Sequence, residues 1–375
     1  MSSDLFLTIC ERLMRQPAVA YHEERVIGEV ESLCREHGLD CFTDPVGNRV
    51  ATVNTAPDLP PIALLAHMDH PGFEALRPLS ERTWEARFLG GVGPQYFRPG
   101  LPLRCYPDGQ TALLGEKLNA SELLFKIEFP VAPVSPPQIA VWDLVPFSAE
   151  SGRIKGRACD DLVGVACALA TLIQLKQSGA RANVRGLFTR AEEVGFHGTL
   201  LLAESGLVPR DALVVSLETS RELPPAQIGQ GVILRVGDRA SIFDNRGLRY
   251  LSQVATGLQE KDSAFRFQRA LMSGGTCEAT PFQEAGYRVV ALCVALGNYH
   301  NCGSDHRILE EYVSLPDAQG MVRLLLEIVT RFDEYDALTS KLNETLAGLA
   351  AEARKRLDGV CGGVELGRPG SSPIT

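Results

Sequence analysis

Four apolar stretches of this chain each run into residues able to bind a metal or move a proton. Residues 62–66 lead to His67 and Asp69, 184–189 to Glu192 and Glu193, 213–217 to Glu218, and 289–296 to His300. Each stretch reads as a buried strand. In an open α/β sheet, ligands bind in the crevice beyond the carboxyl ends of the strands. Two imidazoles and several carboxylates gathered on that edge describe a hydrolytic metal centre, most simply a binuclear one.

The segments differ in what they can contribute. In Ala66-His67-Met68-Asp69, a histidine past a strand is followed by an acid two residues on. The acid can accept the second ring N–H and fix the tautomer, which suits a ligand and its orienter. His70 reads as a loop residue beside them. Asp160-Asp161 precedes a helix, where an N-cap is the plainest use. Among the other segments, Asp160 can instead offer one oxygen to each of two ions. Consecutive Glu192 and Glu193 are costly in a crevice unless a cation offsets their charge. Their side chains diverge, so one can bind metal while the other serves as general base and then acid. Glu218 is a turn cap or a terminal ligand. His300 lies nearer its strand end than His306, and both remain open as the final ligand. One imidazole per carboxylate-rich sphere favours zinc, cobalt or manganese over calcium.

The elements that must position these groups follow from periodicity. Residues 4–16 and 22–37 read as helices, with acids at 23 and 24 suited to the start of the second. A turn at 44–48 leads to a strand at 49–53. From about 74 to 150, short β-like runs (84–89, 113–114, 123–129 and 139–144) are separated by Gly and Pro, with no helical period. Helical spacing returns at 162–175, and strands and helices then alternate to about 331. Residues 315–332 and 335–356 read as helices. The expected fold is α/β: a mixed, mostly parallel sheet sandwiched by helices, with a small inserted β-barrel-like domain. Residues 1–73 and 151–357 form the α/β domain, 74–150 the insert, and the Gly-, Pro- and Ser-rich 358–375 a flexible tail.

Bulk properties narrow the partners. The 375 residues carry 37 basic and 46 acidic side chains, for a net charge of -9. With no basic tract, nucleic acid and anionic membranes are not expected partners. No run of about 18 apolar residues suggests a membrane span, and the first residues lack the pattern of a secretory signal. Ten cysteines show no paired spacing. They read as small buried hydrophobes with free thiols, in keeping with a reducing cytoplasm. Cys159 and Cys302 lie inside motifs, but neither has the local signature of a nucleophile.

Taken together, the motifs resemble the dizinc aminopeptidases of the glutamyl aminopeptidase and tetrahedral aminopeptidase family. The resemblance spans about residues 5–355. His67-Met68-Asp69 with Pro71-Gly72-Phe73 is similar to the family's AHMDxxGF segment, and Asp160-Asp161 with Gly164 to its bridging aspartate motif. Glu192-Glu193-Val194-Gly195 with Gly198 resembles its EEVGxxG, and Asp44 with Gly47-Asn48 an early segment. The resemblance implies that His67, Asp160 and Glu218 hold one metal, and Asp160, Glu193 and His300 the other. It implies Glu192 as the base and Asp69 as the orienter of His67. A hydroxide bridging two divalent ions, zinc or else cobalt or manganese, would attack the first peptide bond of a short peptide. It further implies a homo-oligomer assembled through the insert. The chain departs from the pattern at Glu218, where Asp is usual, at His70, where Glu is frequent, and at Cys277, where an acid is usual in the GGTDA-like segment that shapes the specificity pocket. A deacylase or carboxypeptidase using the same site is the alternative. A binding protein that has lost turnover is a further one, against which an intact Glu192 speaks.

Overall fold

The computed structural model of the chain describes residues 3–119 and 121–357. An eleven-stranded sheet carries the chemistry-bearing segments. Its centre is four parallel strands lying side by side: Asn183–Thr189, Ile62–His67, Leu213–Arg221 and Arg288–Gly297. All six residues of Ile62–His67 are buried. A parallel strand covered on both faces has no polar side to present, which explains these near-continuous apolar runs. The flanks are antiparallel. Arg49–Asn54 and Asp40–Thr43 extend one side; Glu311–Ser314, Arg153–Gly156 and Ser148–Glu150 extend the other. The sheet is therefore mixed, with a parallel core, as the sequence suggests.

Helix Leu162–Ser178 is buried on nearly every side and packs on the centre of the sheet. It stops at Gly179, whose φ of 63° is the left-handed C-cap conformation that glycine takes without penalty. Leu315–Thr330 packs against it and is capped by Ser314, whose hydroxyl accepts the Asp317 N–H.

The inserted segment is a closed six-stranded antiparallel barrel. Around it run Gly72–Pro78, Thr83–Leu89, Leu124–Glu128, Gln110–Asn119, Pro102–Tyr106 and Ile139–Trp142. Closure leaves no free strand edge. The interior is filled by Phe73, Phe88, Phe125 and Trp142. Phe73 meets Phe88 and Trp142 edge-on, with centroids 4.9 and 5.2 Å apart, the arrangement aromatic quadrupoles prefer.

The boundaries differ from those expected. The barrel strands lie within Gly72–Trp142, whereas Ser148–Glu150, assigned to the insert on sequence, pairs in the large sheet. The Gly- and Pro-rich texture continues past the barrel, so composition does not mark its end. By its packing the chain divides into two units, Met1–Asp333 and Glu334–Thr375. Helix Tyr335–Leu357 belongs to the second, although the sequence reading joined it to the α/β domain. The expected tail at 358–375 lies outside the described residues. Among the described residues, no helix is long and apolar enough to cross a membrane.

Candidate metal centre

Adjacent strands deliver the predicted residues to one place. His67 is the last residue of its strand and pairs in register with Thr189, the last residue of the neighbouring one. Glu192 and Glu193 follow directly on the loop. Glu218 comes from the strand on the other side, and because that strand continues to Arg221, Glu218 lies within it rather than after it. His300 follows the Arg288–Gly297 strand, and Asp160 lies just before Asp161, the N-cap of helix Leu162–Ser178.

Asp160 is the pivot. Its Oδ1 lies 3.7 Å from His67 Nε2, and its Oδ2 lies 3.6 Å from His300 Nε2. Thr219 donates to Oδ1 at 3.0 Å. His300 Nε2 is also 3.1 Å from Glu193 Oε1, and His67 Nε2 is 4.0 Å from Glu192 Oε2. Three sets of potential ligand atoms each fall within 4.8 Å of one another: His67, Asp160 and Glu218; Asp160, Glu193 and His300; and His67, Glu192 and Glu193. The first two share Asp160. His306, the rival to His300, is exposed, sits edge-on to Tyr96, and is in none of the sets.

This concentration of buried acid is electrostatically expensive. Burial pushes the Glu218 pKa up to about 8, with His67 opposing and repulsion from Asp160 adding to the rise. Burial pushes Glu192 well above the carboxylate range, with Glu193, Glu218 and Glu278 adding to it and His67 opposing. The two histidines answer the same field. Burial disfavours their charged forms, but Glu192 around His67 and Glu193 around His300, with Asp160 between, raise both well above the ordinary imidazole value. Asp160 is lowered, since its two imidazole partners outweigh its burial. Oε1 of Glu218 is buried without a hydrogen-bond donor, and Oε1 of Glu193 has only the His300 ring nitrogen beside it. Buried carboxylates so poor in donors and arranged with imidazoles fit divalent cations, whose charge would offset the desolvation.

The supports were only partly foreseen. Asp69 is adjacent, but His67 Nδ1 is held by its main-chain carbonyl at 3.1 Å, while its carboxylate is 3.7 Å away. That carboxylate instead accepts the N–H groups of Glu192 (2.9 Å) and Glu193 (3.1 Å), fixing the loop that carries both acids. Glu23 stands at the start of the second helix, as expected, and is fully buried there. It binds Arg190 Nε at 2.7 Å and the Ala191 N–H at 3.0 Å. The Asp44–Asn48 turn reaches the same loop: Asn48 accepts from Arg190 N and donates to the Gly198 carbonyl, both at 3.0 Å. A Cβ on Gly198 would lie 2.5 Å from Asn48 Oδ1, so only glycine allows this approach.

Glu311 was missed altogether. Buried at the start of its strand, it accepts N–H groups from Cys159 (2.8 Å), Asp160 (3.0 Å) and His300 (2.7 Å). His70 stands behind Asp160, bonding its carbonyl through Nδ1 at 2.8 Å and meeting Asn301 Oδ1 through Nε2 at 3.1 Å. These contacts hold a strained turn in which Asn298, His300 and Asn301 have φ of 55°, 53° and 60°. Left-handed backbone at such bulky residues persists only where the surroundings enforce it, and it clusters at functional sites. The one signal for Glu311 was an acid inside a strand pattern, which many exposed strands share.

The centre opens into a cleft whose far wall includes Arg235 and Gly274 to Cys277, so the GGTDA-like segment does line the pocket. A model of the M42 glutamyl aminopeptidase family matches residues 128–308, a span holding every candidate residue except His67 and Asp69. Solved structures share the fold. A TET aminopeptidase from the marine sediment archaeon Thaumarchaeota archaeon SCGC AB-539-E09 is 20% identical with a TM-score of 0.74, over 89% of this chain and 99% of its own. Aminopeptidase APDkam598 from Desulfurococcus kamchatkensis is 20% identical with a TM-score of 0.73, over 90% and 98%. Pyrococcus horikoshii TET1, which assembles into a tetrahedron or a large octahedral shell, is 20% identical with a TM-score of 0.71, over 86% and 99%. None of the curated proteins matches. The family match and these folds bear out the resemblance carried by the motifs.

Proposed function

We propose that the chain is a metal-dependent aminopeptidase removing N-terminal residues from short peptides. The observation that carries this reading is Asp160, whose two oxygens each face a different imidazole within two overlapping ligand sets. His67, Asp160 and Glu218 would hold one cation, and Asp160, Glu193 and His300 the second. Bound there, two divalent cations, zinc or else cobalt or manganese, would supply Lewis acidity to acidify a water and polarise the scissile carbonyl.

The chain's own residues do the rest. Glu192 takes a proton from the attacking water and returns it to the leaving amine. A carboxylate raised by burial and like-charged neighbours suits that task near neutral pH. Asp69 fixes the position of Glu192 through the main chain, and its carbonyl sets the orientation of His67. The barrel, a discrete module of the chain, is the surface we assign to self-association, and the cytoplasm is the compartment that suits nine described free cysteines.

The test is Glu192→Gln in the metal-loaded enzyme. The expected result is unchanged metal content with kcat reduced about 10²–10⁴-fold, the usual worth of a positioned general acid–base. Undiminished turnover refutes the mechanism. Comparing free-amine with N-blocked peptides separates this function from the deacylase or carboxypeptidase alternative: hydrolysis of the blocked set alone favours the latter.

A further inference from the structure

Helix Tyr335–Leu357 is 23 residues long, about 35 Å at the α-helical rise. Three leucines on it are about half exposed: Leu342 at 49%, Leu346 at 53% and Leu349 at 57%. Their spacing of four and then three residues, continued to exposed Ala353, sets them on one stripe, the seam of a helix that packs against another helix. Large apolar groups in a contiguous exposed row mark an interaction surface. A helix of this length, with Gly348 in its interior, also gains much of its stability from packing rather than propensity.

The charges select the occupant. Lys341 and Glu352 are exposed and lie three turns apart on the same flank of the stripe, separated by about 20° around the axis. In an antiparallel pair of identical helices related by a twofold axis, this flank faces itself reversed. With Leu346 of one copy packed against Leu349 of the other, Lys341 meets Glu352 of the second copy, and the contact occurs twice. The basic last turn, Arg354, Lys355 and Arg356, then lies at the end where the partner helix begins with Asp336, and the helix dipoles oppose favourably. In a parallel pair the two basic ends would coincide.

We propose that this helix docks antiparallel on the same helix of a second copy of the chain, forming a self-association surface separate from the barrel. The proposal does not rest on the reading of the metal centre. It is tested on the full-length chain by sedimentation across a concentration series. Leu346→Glu combined with Leu349→Glu is expected to lower the assembly mass at least two-fold while leaving peptide hydrolysis and the thermal transition of the remainder unchanged. Lys341→Glu alone and Glu352→Lys alone are each expected to weaken association several-fold, and the two together to restore it. Equal mass for the wild type and the double leucine variant overturns the proposal. Failure of the charge swap to restore association overturns the antiparallel pairing. Wild-type chain that stays unassociated and instead co-sediments with anionic phospholipid vesicles assigns the stripe to a membrane surface and also overturns it.

Discussion

Glu311 touches none of the candidate ligand atoms yet holds two of the residues that carry them, so changing it separates scaffold from chemistry. One of its oxygens accepts the N–H groups of Cys159 and Asp160, at 2.8 and 3.0 Å, and the other accepts that of His300 at 2.7 Å. Glu311→Gln keeps the volume but turns one acceptor into an NH₂ group facing donors. If the amide oxygen stays toward Cys159 and Asp160, the His300 N–H is orphaned; turned the other way, two N–H groups are. A buried donor without a partner costs about 1–3 kcal/mol, so the cheaper orientation costs about that much. Relief can come only by moving His300, which is held at a left-handed φ of 53°.

Two readouts follow. Urea unfolding of the chelated variant should show stability lower by about 1–3 kcal/mol with an unchanged m-value. Titration against a chromophoric chelator should show one of the two cations, the one shared by Asp160, Glu193 and His300, held about ten-fold or more weakly, since about 1.4 kcal/mol is a factor of ten. A variant with wild-type stability and wild-type affinity for both cations would refute the argument that Glu311 builds the site.

The other predictions concern the centre directly. Cys159 is fully buried with its thiol pushed far up, and the Cys302 thiol is also raised by burial, so a chelator should abolish hydrolysis while a thiol alkylator leaves it; the reverse pattern would point to a cysteine nucleophile. Glu218 (about 8), His67 and His300 all sit above their unfolded pKa values in the metal-free fold. At pH 6.5 these groups therefore hold protons that cation binding must expel. Calorimetry in buffers of different ionisation enthalpy should record at least one proton released per chain, and affinity should rise as pH climbs toward 8; no release at pH 6.5 contradicts the ligand assignment. Arg235 lines the cleft, is buried, and has an Nε without an acceptor. Peptides beginning with Glu should therefore show kcat/KM at least ten-fold above those beginning with Lys, and Arg235→Met should erase the difference; equal rates in the wild-type enzyme exclude Arg235 as a selector.

The parts of this molecule that could be read from sequence are those where one residue type answers one physical need. The central strands were legible because burial on both faces leaves unbroken apolar runs, and the candidate ligands because His67, Glu193 and His300 stand where those runs stop. Glu218 was legible as chemistry but misplaced by a few residues, since the strand continues through Thr219 to Arg221 and an acid inside a strand looks like its end. The supports were hidden for a different reason. Glu311, Glu23 and Asn301 act through main-chain N–H and C=O groups of segments distant in sequence, and such contacts leave no local pattern. Asp69 shows the same effect: it stands beside His67 as its spacing suggests, but its carboxylate goes to the amides of Glu192 and Glu193, two part-buried N–H donors that need an acceptor. A pair of acids can stand beside a cation only if their backbone is fixed before the cation arrives, so the residues that cannot be seen in the motif are the ones that make the motif work.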